Sequence, residues 1–221
     1  MQPEIFLTAD GSASIHIPSM EVTYHSRHGA ITESMHVFVS TGFLYWHEHA
    51  SPSLPCYIFE MGFGTGLNAL LTLMEAERLQ RKVFYTAIES NPLDADMTSQ
   101  LNYCDQLNRP DLKNAFTILH TCNWDKDISI SAFFTIKKLK TSLQEFSTNQ
   151  IFDIIYYDAF APNAQPELWT KEIFEKLYHM GGLLVTYCSK GEVQRAMKAA
   201  GFTVEKLPGA PGKREMVRAV K

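Results

Sequence analysis

The sequence predicts an α/β fold: a mostly parallel sheet with helices on both faces. Three observations carry this. From Cys56 onward, continuous apolar runs alternate with amphipathic stretches; glycine turns punctuate the change from one to the other; and 45% apolar content in 221 residues is enough for one sizeable core. A short extension of different rhythm precedes this pattern, so the chain divides at residues 1–54 and 55–221.

In the extension, "EIFLTA" and "ASIHI" alternate apolar and polar residues around Asp10-Gly11, a pair that tolerates the positive φ of a tight type I′ turn. A β-hairpin is expected there, with "VTYHS" close behind. "ITESMHVFVSTGFLYWHEHA" carries Met35, Phe38 and Val39 at helical spacing and stops at the breaker "SPSLP".

In the main part, "CYIFEM" reads as the first strand, "GFGTG" as a turn and "LNALLTLMEAERLQ" as an amphipathic helix. "KVFYTAIES" is the second strand. "PLDADMTSQLNYCDQL" is the next helix, with Pro92 suited to its first turn. "AFTILHT" is expected as the third strand, "IFDIIYYDAF" as the fourth and "GGLLVTYC" as the fifth, with the helix "PELWTKEIFEKLYHM" between the last two. "GEVQRAMKAAGF" closes helically at Gly201, and "TVEKL" and "REMVRAV" complete a seven-stranded sheet. Ligands of such sheets sit outside the carboxyl ends of the strands, where strand order switches. The residues to inspect are those just after Met61, Glu89, Thr121, Asp158 and Cys188.

Composition excludes several classes. No window offers the ~20 uncharged apolar residues of a membrane span, and the start "MQPEIFLTADGSASIHIPS" lacks a basic segment followed by an apolar one. Cys56, Cys104, Cys122 and Cys188 are far apart, without a C-x-x-C pair, which suits reduced thiols and a cytoplasmic location. His47 and His49 lack a third nearby ligand, so no metal is expected. A net charge of −4 argues against a nonspecific nucleic-acid coat. Local basic patches remain: Lys137, Lys138 and Lys140; Lys213, Arg214 and Arg218; and Arg195 with Lys198. Each is equally readable as a solvated face.

"EMGFGTG" sets Glu60 before Gly62, Gly64 and Gly66, directly ahead of a helix. Glycines permit close approach of the main chain to a ligand, and a helix N-terminus favours a negative group. The residue three after Gly64 is Leu67, so the G-x-G-x-x-G dinucleotide pattern fails. The E-x-G-x-G-x-G form resembles motif I of class I S-adenosylmethionine (SAM) methyltransferases. Glu89, beyond the second strand, is placed to accept hydrogen bonds from ribose hydroxyls. In "HTCNWDK", Asn123 and Trp124 lie where this fold meets adenine, with Trp124 equally readable as core.

Asp158 follows the fourth strand and faces the donor pocket by the switch-point rule. An amine acceptor must lose its proton before attacking a sulfonium, and a carboxylate in reach can orient the amine and take that proton. Phe160, Pro162 and Trp169 would then wall a flat apolar slot for a base. The alternative is that Asp158 caps a turn and the aromatic residues are core. A 5-methylcytosine enzyme would want a Pro-Cys nucleophile, which Cys188 does not provide, and a magnesium-dependent O-methyltransferase would want more acids than Asp125 and Asp127.

Together, "ESMHVFVSTGF", "FEMGFGTGLNALL", "YYDAFAPNAQPELWT", "TYCSKGEVQRAMKAAGF" and "GKREM" resemble the methyltransferase domain of MnmC and the stand-alone MnmD family over roughly residues 20–221. The resemblance implies a Rossmann-like class I fold and a SAM-dependent enzyme. Its expected reaction converts 5-aminomethyl-2-thiouridine at the tRNA wobble position to the 5-methylaminomethyl form. It implies cofactor contacts from Glu60, Gly62, Phe63, Gly64, Gly66, Glu89 and the Asn123–Asp125 region, and it sets Asp158 beside the acceptor amine. Glu33 and His36 are implied to reach back over the cofactor, and Lys213 and Arg214 to line the RNA side. Asn68 either contacts cofactor or supports the helix start. Two-domain relatives add a flavin-dependent oxidase; this sequence has no flavin fingerprint, so only the methylation step is expected. The competing enzyme reading is an aminopropyltransferase of the spermidine-synthase kind, which the cations of "GKREMVR" disfavour. A catalytically idle SAM-binding subunit is the reading outside the enzyme class.

Overall fold

The computed structural model describes residues 3–221. Strands β1 (Glu4–Leu7), β2 (Ala13–Ile17) and β3 (Val22–Thr23) form a small antiparallel sheet. The hairpin predicted around Asp10-Gly11 is present but wider than a two-residue turn. Thr8 and Ser12 still pair, with the Thr8 N–H donating to the Ser12 carbonyl at 2.9 Å, and Gly11 sits at φ +80°. This is the longer hairpin loop that ends in a left-handed residue. The reason lies in Asp10. Its carboxylate accepts from the Ser12 N–H (3.1 Å), the Thr8 hydroxyl (2.8 Å) and, across the loop, the Thr32 N–H and hydroxyl (both 2.9 Å), and so binds the hairpin to the next helix.

That helix runs through residues 30–49: α1 (Ala30–Ser34), a π-helical middle (Met35–Leu44) and α2 (Tyr45–His49). Its π-wound stretch buries Val37, Phe38, Val39 and Phe43 against the main sheet. Ala13, Ile15 and Val37 belong to the same apolar cluster as Leu70 and Tyr156, so the extension completes the core of the larger part.

The main sheet has the order β10-β11-β9-β8-β4-β5-β7-β6. Its strands are β4 (Cys56–Met61), β5 (Val83–Ile88), β6 (Asp127–Ser129), β7 (Phe134–Leu139), β8 (Phe152–Tyr157), β9 (Gly181–Thr186), β10 (Thr203–Pro208) and β11 (Glu215–Val220). The five strands from β9 to β7 are parallel, whereas β11, β10 and β6 run antiparallel to their neighbours. Six of the predicted seven strands are present, β7 stands where the third was expected, and β6 adds a short edge. Helices α3 (Leu67–Leu79), α4 (Ala95–Ser99), α5 (Tyr103–Gln106), α6 (Lys113–Thr121), α7 (Lys171–Met180) and α8 (Gly191–Ala199) cover the faces. One apolar cluster lies on each side.

Two elements differ from the sequence reading. "PLDADMTSQLNYCDQL" is not one helix begun by Pro92 but two short ones, α4, capped by the Asp94 side chain, and α5. "AFTILHT" is part of α6, not the third strand. Leu112, just ahead of it, and its inward residues Phe116 and Leu119 recur at helical spacing and are buried, while Asn114, Thr117 and Thr121 face outward. The third parallel strand is β7, "FTIKKL", where Phe134, Ile136 and Lys138 all point inward. Lys138 is therefore not part of a solvated basic face: its ammonium donates to the His120 carbonyl at 2.8 Å and lies over the Phe63 and Trp124 rings.

From β4 the connections lead to β5 and β7 on one side, and the chain then returns to β8 and β9 on the other. The switch in strand order falls between β4 and β8, directly beneath the glycine turn and Asp158.

Candidate active site

A cavity of about 550 Å³ opens at this switch point. Its floor is the turn after β4, where Met61, Gly62, Phe63 and Gly64 precede Asn68 in the first turn of α3. Gly62 has φ +88°, and a Cβ there would stand 3.0 Å from the Asp158 carbonyl oxygen, so the two loops meet at a distance only glycine allows. Glu89, just after β5, forms one end of the cavity. Its Oε2 accepts from the Gly64 N–H (3.0 Å) and its Oε1 from the Asn91 N–H (2.9 Å). Both oxygens are thereby oriented, with lone pairs remaining for a ligand.

Asp158 leaves β8 with its N–H donating to the Met61 carbonyl (3.2 Å), and its Oδ2 accepts from Asn68 Nδ2 (2.9 Å). Burial, followed by the nearby Glu33 carboxylate, pushes Asp158 up to about 7, against the pull of the Asn68 hydrogen bond and Lys213. Near neutrality this side chain exchanges a proton readily.

The remaining walls come from the chain's two ends. Tyr24 and His25 follow β3, and Tyr24 meets Phe160 edge to face with ring centroids 5.3 Å apart. Burial and Glu89 push the Tyr24 hydroxyl up to about 12, so it stays a neutral donor. Glu33, from α1, accepts from the Ser26 N–H (2.7 Å) and pairs with Lys213 of the β10–β11 turn. The Lys213 ammonium also stands 3.9 Å from the centroid of Tyr187, whose hydroxyl donates to the Ala159 carbonyl. Tyr24, His25 and Tyr187 were not singled out in the sequence. Their signal was an aromatic or imidazole residue directly after a strand, at the same sheet end as the glycine turn.

Of the residues proposed from sequence, Glu33, Gly62, Phe63, Gly64, Asn68, Glu89, Asp158, Phe160 and Lys213 line the cavity. The others lie elsewhere. Glu60 is fully buried behind Asn68, because its position on β4 points under α3. Gly66 begins α3 and packs against His120 and Phe63. His36 points to the β10–β11 hairpin and donates to the Pro208 carbonyl (2.8 Å). Asn123 and Trp124 follow α6 and lead into β6; they stand at the carboxyl end of β7, where the Asp125 N–H donates to the Lys138 carbonyl at 2.8 Å and the Lys138 ammonium lies over Trp124, but neither lines the cavity. The corresponding position after β7 is Thr141–Leu143, which with Ile88, Glu89 and Ser90 lines a smaller adjoining hollow. Pro162 is buried off the wall; Trp169 stands behind it, its Nε1–H donating to the Phe160 carbonyl (2.8 Å) and so bracing the loop. Arg214 is exposed outside the cavity.

Cys56, Cys104, Cys122 and Cys188 are all free thiols. Among the described residues no cluster of three or more His, Cys, Asp or Glu is arranged as metal ligands, and no helix is long and apolar enough to cross a membrane. His47 and His49 sit on α2, where His47 accepts from Arg81 and His49 donates to the Tyr45 carbonyl.

Comparison with known proteins points the same way. Residues 115–221 match the model of a family described as S-adenosyl-L-methionine-dependent methyltransferase. The bifunctional protein MnmC of tRNA 5-methylaminomethyl-2-thiouridine biosynthesis from Cupriavidus metallidurans is 29% identical, over 98% of this chain and 33% of that protein. Its counterpart from Leptospira interrogans is 30% identical, over 88% of this chain and 32% of that protein. The chain thus spans about a third of the length of these relatives. The crystal structure of MNMC2 from Aquifex aeolicus superposes with a TM-score of 0.77 at 23% identity, covering 99% of this chain and 70% of that one. The fold is that of a class I SAM-dependent methyltransferase, and the resemblance read from the sequence is borne out. The cavity fits SAM: a close-approach glycine turn lies beside an oriented Glu89 carboxylate, the acceptor a ribose diol needs, within a space large enough for a nucleoside carrying an amino-acid tail.

Proposed function

We propose that this relative of the MnmC methyltransferase part is a SAM-dependent N-methyltransferase acting on tRNA, converting 5-aminomethyl-2-thiouridine at the wobble position to 5-methylaminomethyl-2-thiouridine. The observation that supports it most strongly is Asp158. A carboxyl held near neutrality faces the same cavity as the glycine turn and Glu89.

SAM would supply an electrophilic methyl on its sulfonium. Gly62 and Gly64 would hold its amino-acid end along the main chain, Glu89 would accept from its ribose hydroxyls, and Thr141–Leu143 would border the base. Asp158 would accept a hydrogen bond from the acceptor amine, hold its lone pair in line and take the proton released on methylation. Tyr24 and Phe160, packed edge to face on each other, would wall the acceptor base and exclude water. Lys213, exposed enough to meet solvent yet anchored to Glu33, would meet the polyanion at the cavity rim.

The test is incubation with labelled SAM and tRNA from cells lacking this methyl group, followed by nucleoside analysis. Label in 5-methylaminomethyl-2-thiouridine is expected. Label in a small amine, with none in tRNA, would refute the assignment and favour the polyamine-type reading.

A further inference from the structure

Behind Asp158 lies a second carboxyl that the proposed reaction does not use. Glu60, next to last on β4, has 0% exposure. One side chain joins the two acids: Asn68 Nδ2 donates to Glu60 Oε1 at 3.0 Å and to Asp158 Oδ2 at 2.9 Å. A primary amide has two N–H bonds, so both donors of Asn68 are committed to carboxyls. Glu60 Oε2, Asn68 Oδ1 and the hydroxyl of Tyr85 are buried without hydrogen-bond partners. A buried carboxyl with one unpaired oxygen is far less costly neutral than charged. Burial first, and the charge of Asp158 after it, hold Glu60 well above the usual carboxylate range, against the Asn68 hydrogen bond. Glu60 therefore accepts from Asn68 without adding a negative charge beneath Asp158.

We propose that Glu60 and Asn68 are positioning residues for Asp158: Glu60 fixes the plane of the Asn68 amide, Asn68 immobilises Asp158 Oδ2, and the second Asp158 oxygen is left for a ligand in the cavity. The catalytic consequence rests on the methyltransferase reading; the bridge itself does not. The other groups that bear on Asp158 are Glu33 from α1, Lys213 from the β10–β11 turn, Tyr187 after β9 and Tyr85 on β5, and all are kept in the variants below. Asn68 thus has a defined task apart from any cofactor contact.

The experiment is a carboxyl ¹³C titration of the protein labelled at aspartate, with the Asp158 signal assigned by its loss in Asp158→Asn. Asn68→Ala removes a hydrogen bond to the charged form, so the Asp158 midpoint should rise by about 1 pH unit. Glu60→Gln keeps a neutral acceptor and should leave the midpoint in place. Asn68→Ser serves if Asn68→Ala fails to fold, with the same upward shift expected. In turnover assays the acid limb of kcat should move with the Asp158 midpoint, while KM for SAM stays within about threefold. An unmoved Asp158 midpoint in the Asn68 variant would overturn the proposal, above all with a raised KM for SAM, which would make Asn68 a cofactor contact. A lowered midpoint in Glu60→Gln would overturn it too, since that would mean Glu60 is charged. If the titrations behave as expected but no variant, nor the parent, methylates tRNA, the functional reading fails and the bridge stands.

Discussion

Replacing Asp158 with asparagine should abolish methyl transfer and, at the same time, make the protein more stable at alkaline pH. The carboxyl is held at about 7 against an ordinary 3.8, a difference worth about 4 kcal/mol at full ionisation. Below about pH 4 it is neutral in both folded and unfolded chains and contributes no difference. Between about pH 4 and 7 the unfolded chain ionises while the folded one does not, so stability falls as pH rises, and above about 7 the whole penalty is present. Asparagine removes that penalty and keeps an oxygen for the Asn68 donor, although the bond becomes neutral and loses about 1 kcal/mol. With partial solvent access to the cavity, a net gain of about 2 kcal/mol is expected at pH 8, or about 4–8 °C in Tm, and very little at pH 4. Thermal melts of both proteins at pH 4 and pH 8 measure this, with calorimetry to establish that SAM still binds. A gain independent of pH, or a loss at pH 8, would refute the account of Asp158 as a desolvated acid.

Three further outcomes follow from the geometry. Gly62→Ala forces a Cβ to 3.0 Å from the Asp158 carbonyl at positive φ, so it should destabilise by about 1–3 kcal/mol and weaken SAM binding; a normal calorimetric titration would contradict the close approach. Tyr24→Ala opens the wall beside Phe160 and should weaken SAM or acceptor binding about tenfold by losing an aromatic face and its packing, read by isothermal titration and by KM for tRNA. Asp10, raised by burial but pulled down to about 2 by bonds from Ser12, Thr32 and Thr8, stabilises the fold above its unfolded value, and this is lost as pH falls from about 4 towards 2. Asp10→Ala should therefore cost about 1–2 kcal/mol in urea unfolding at pH 7 and much less at pH 2; an equal cost at both pH values would remove the charge from the explanation.

The parallel strands were legible because burial on both faces leaves unbroken apolar runs, as in "CYIFEM" and "FDIIYY". The third strand was hidden by its own lysine. In "FTIKKL" the inward position 138 carries an ammonium, which a pattern reading assigns to solvent, whereas the fold satisfies it with the His120 carbonyl and two aromatic rings. The neighbouring "AFTILHT", rich in β-branched and aromatic residues, took its place on propensity although its buried positions are four and three apart. Asn123 and Trp124 stay at the carboxyl end of β7, beside Lys138, but outside the cavity lining. The acid and the glycine turn were legible because a strand end and a switch point are sequence-local. Tyr24, Tyr187 and the Glu33–Lys213 pair were not, since their meeting depends on the extension and the last hairpin converging over the sheet.

That convergence bears on the chemistry. An alkylammonium titrates near 10, so handing its proton to an ordinary carboxylate near 4 is uphill by about 8 kcal/mol. Held at about 7, Asp158 faces roughly half that gap, and the difference comes mainly from desolvation. The sheet alone would leave a carboxylate at a strand end open to water. Tyr24 from the extension, Phe160 from the loop, and the Glu33–Lys213 pair joining α1 to the last hairpin supply the cover. In the proposed reaction the extension would thus be part of the base: removing its cover should return Asp158 towards 4, ionise it more fully at neutral pH, and still slow methylation, because a weaker base in water is a poorer acceptor of an amine's proton.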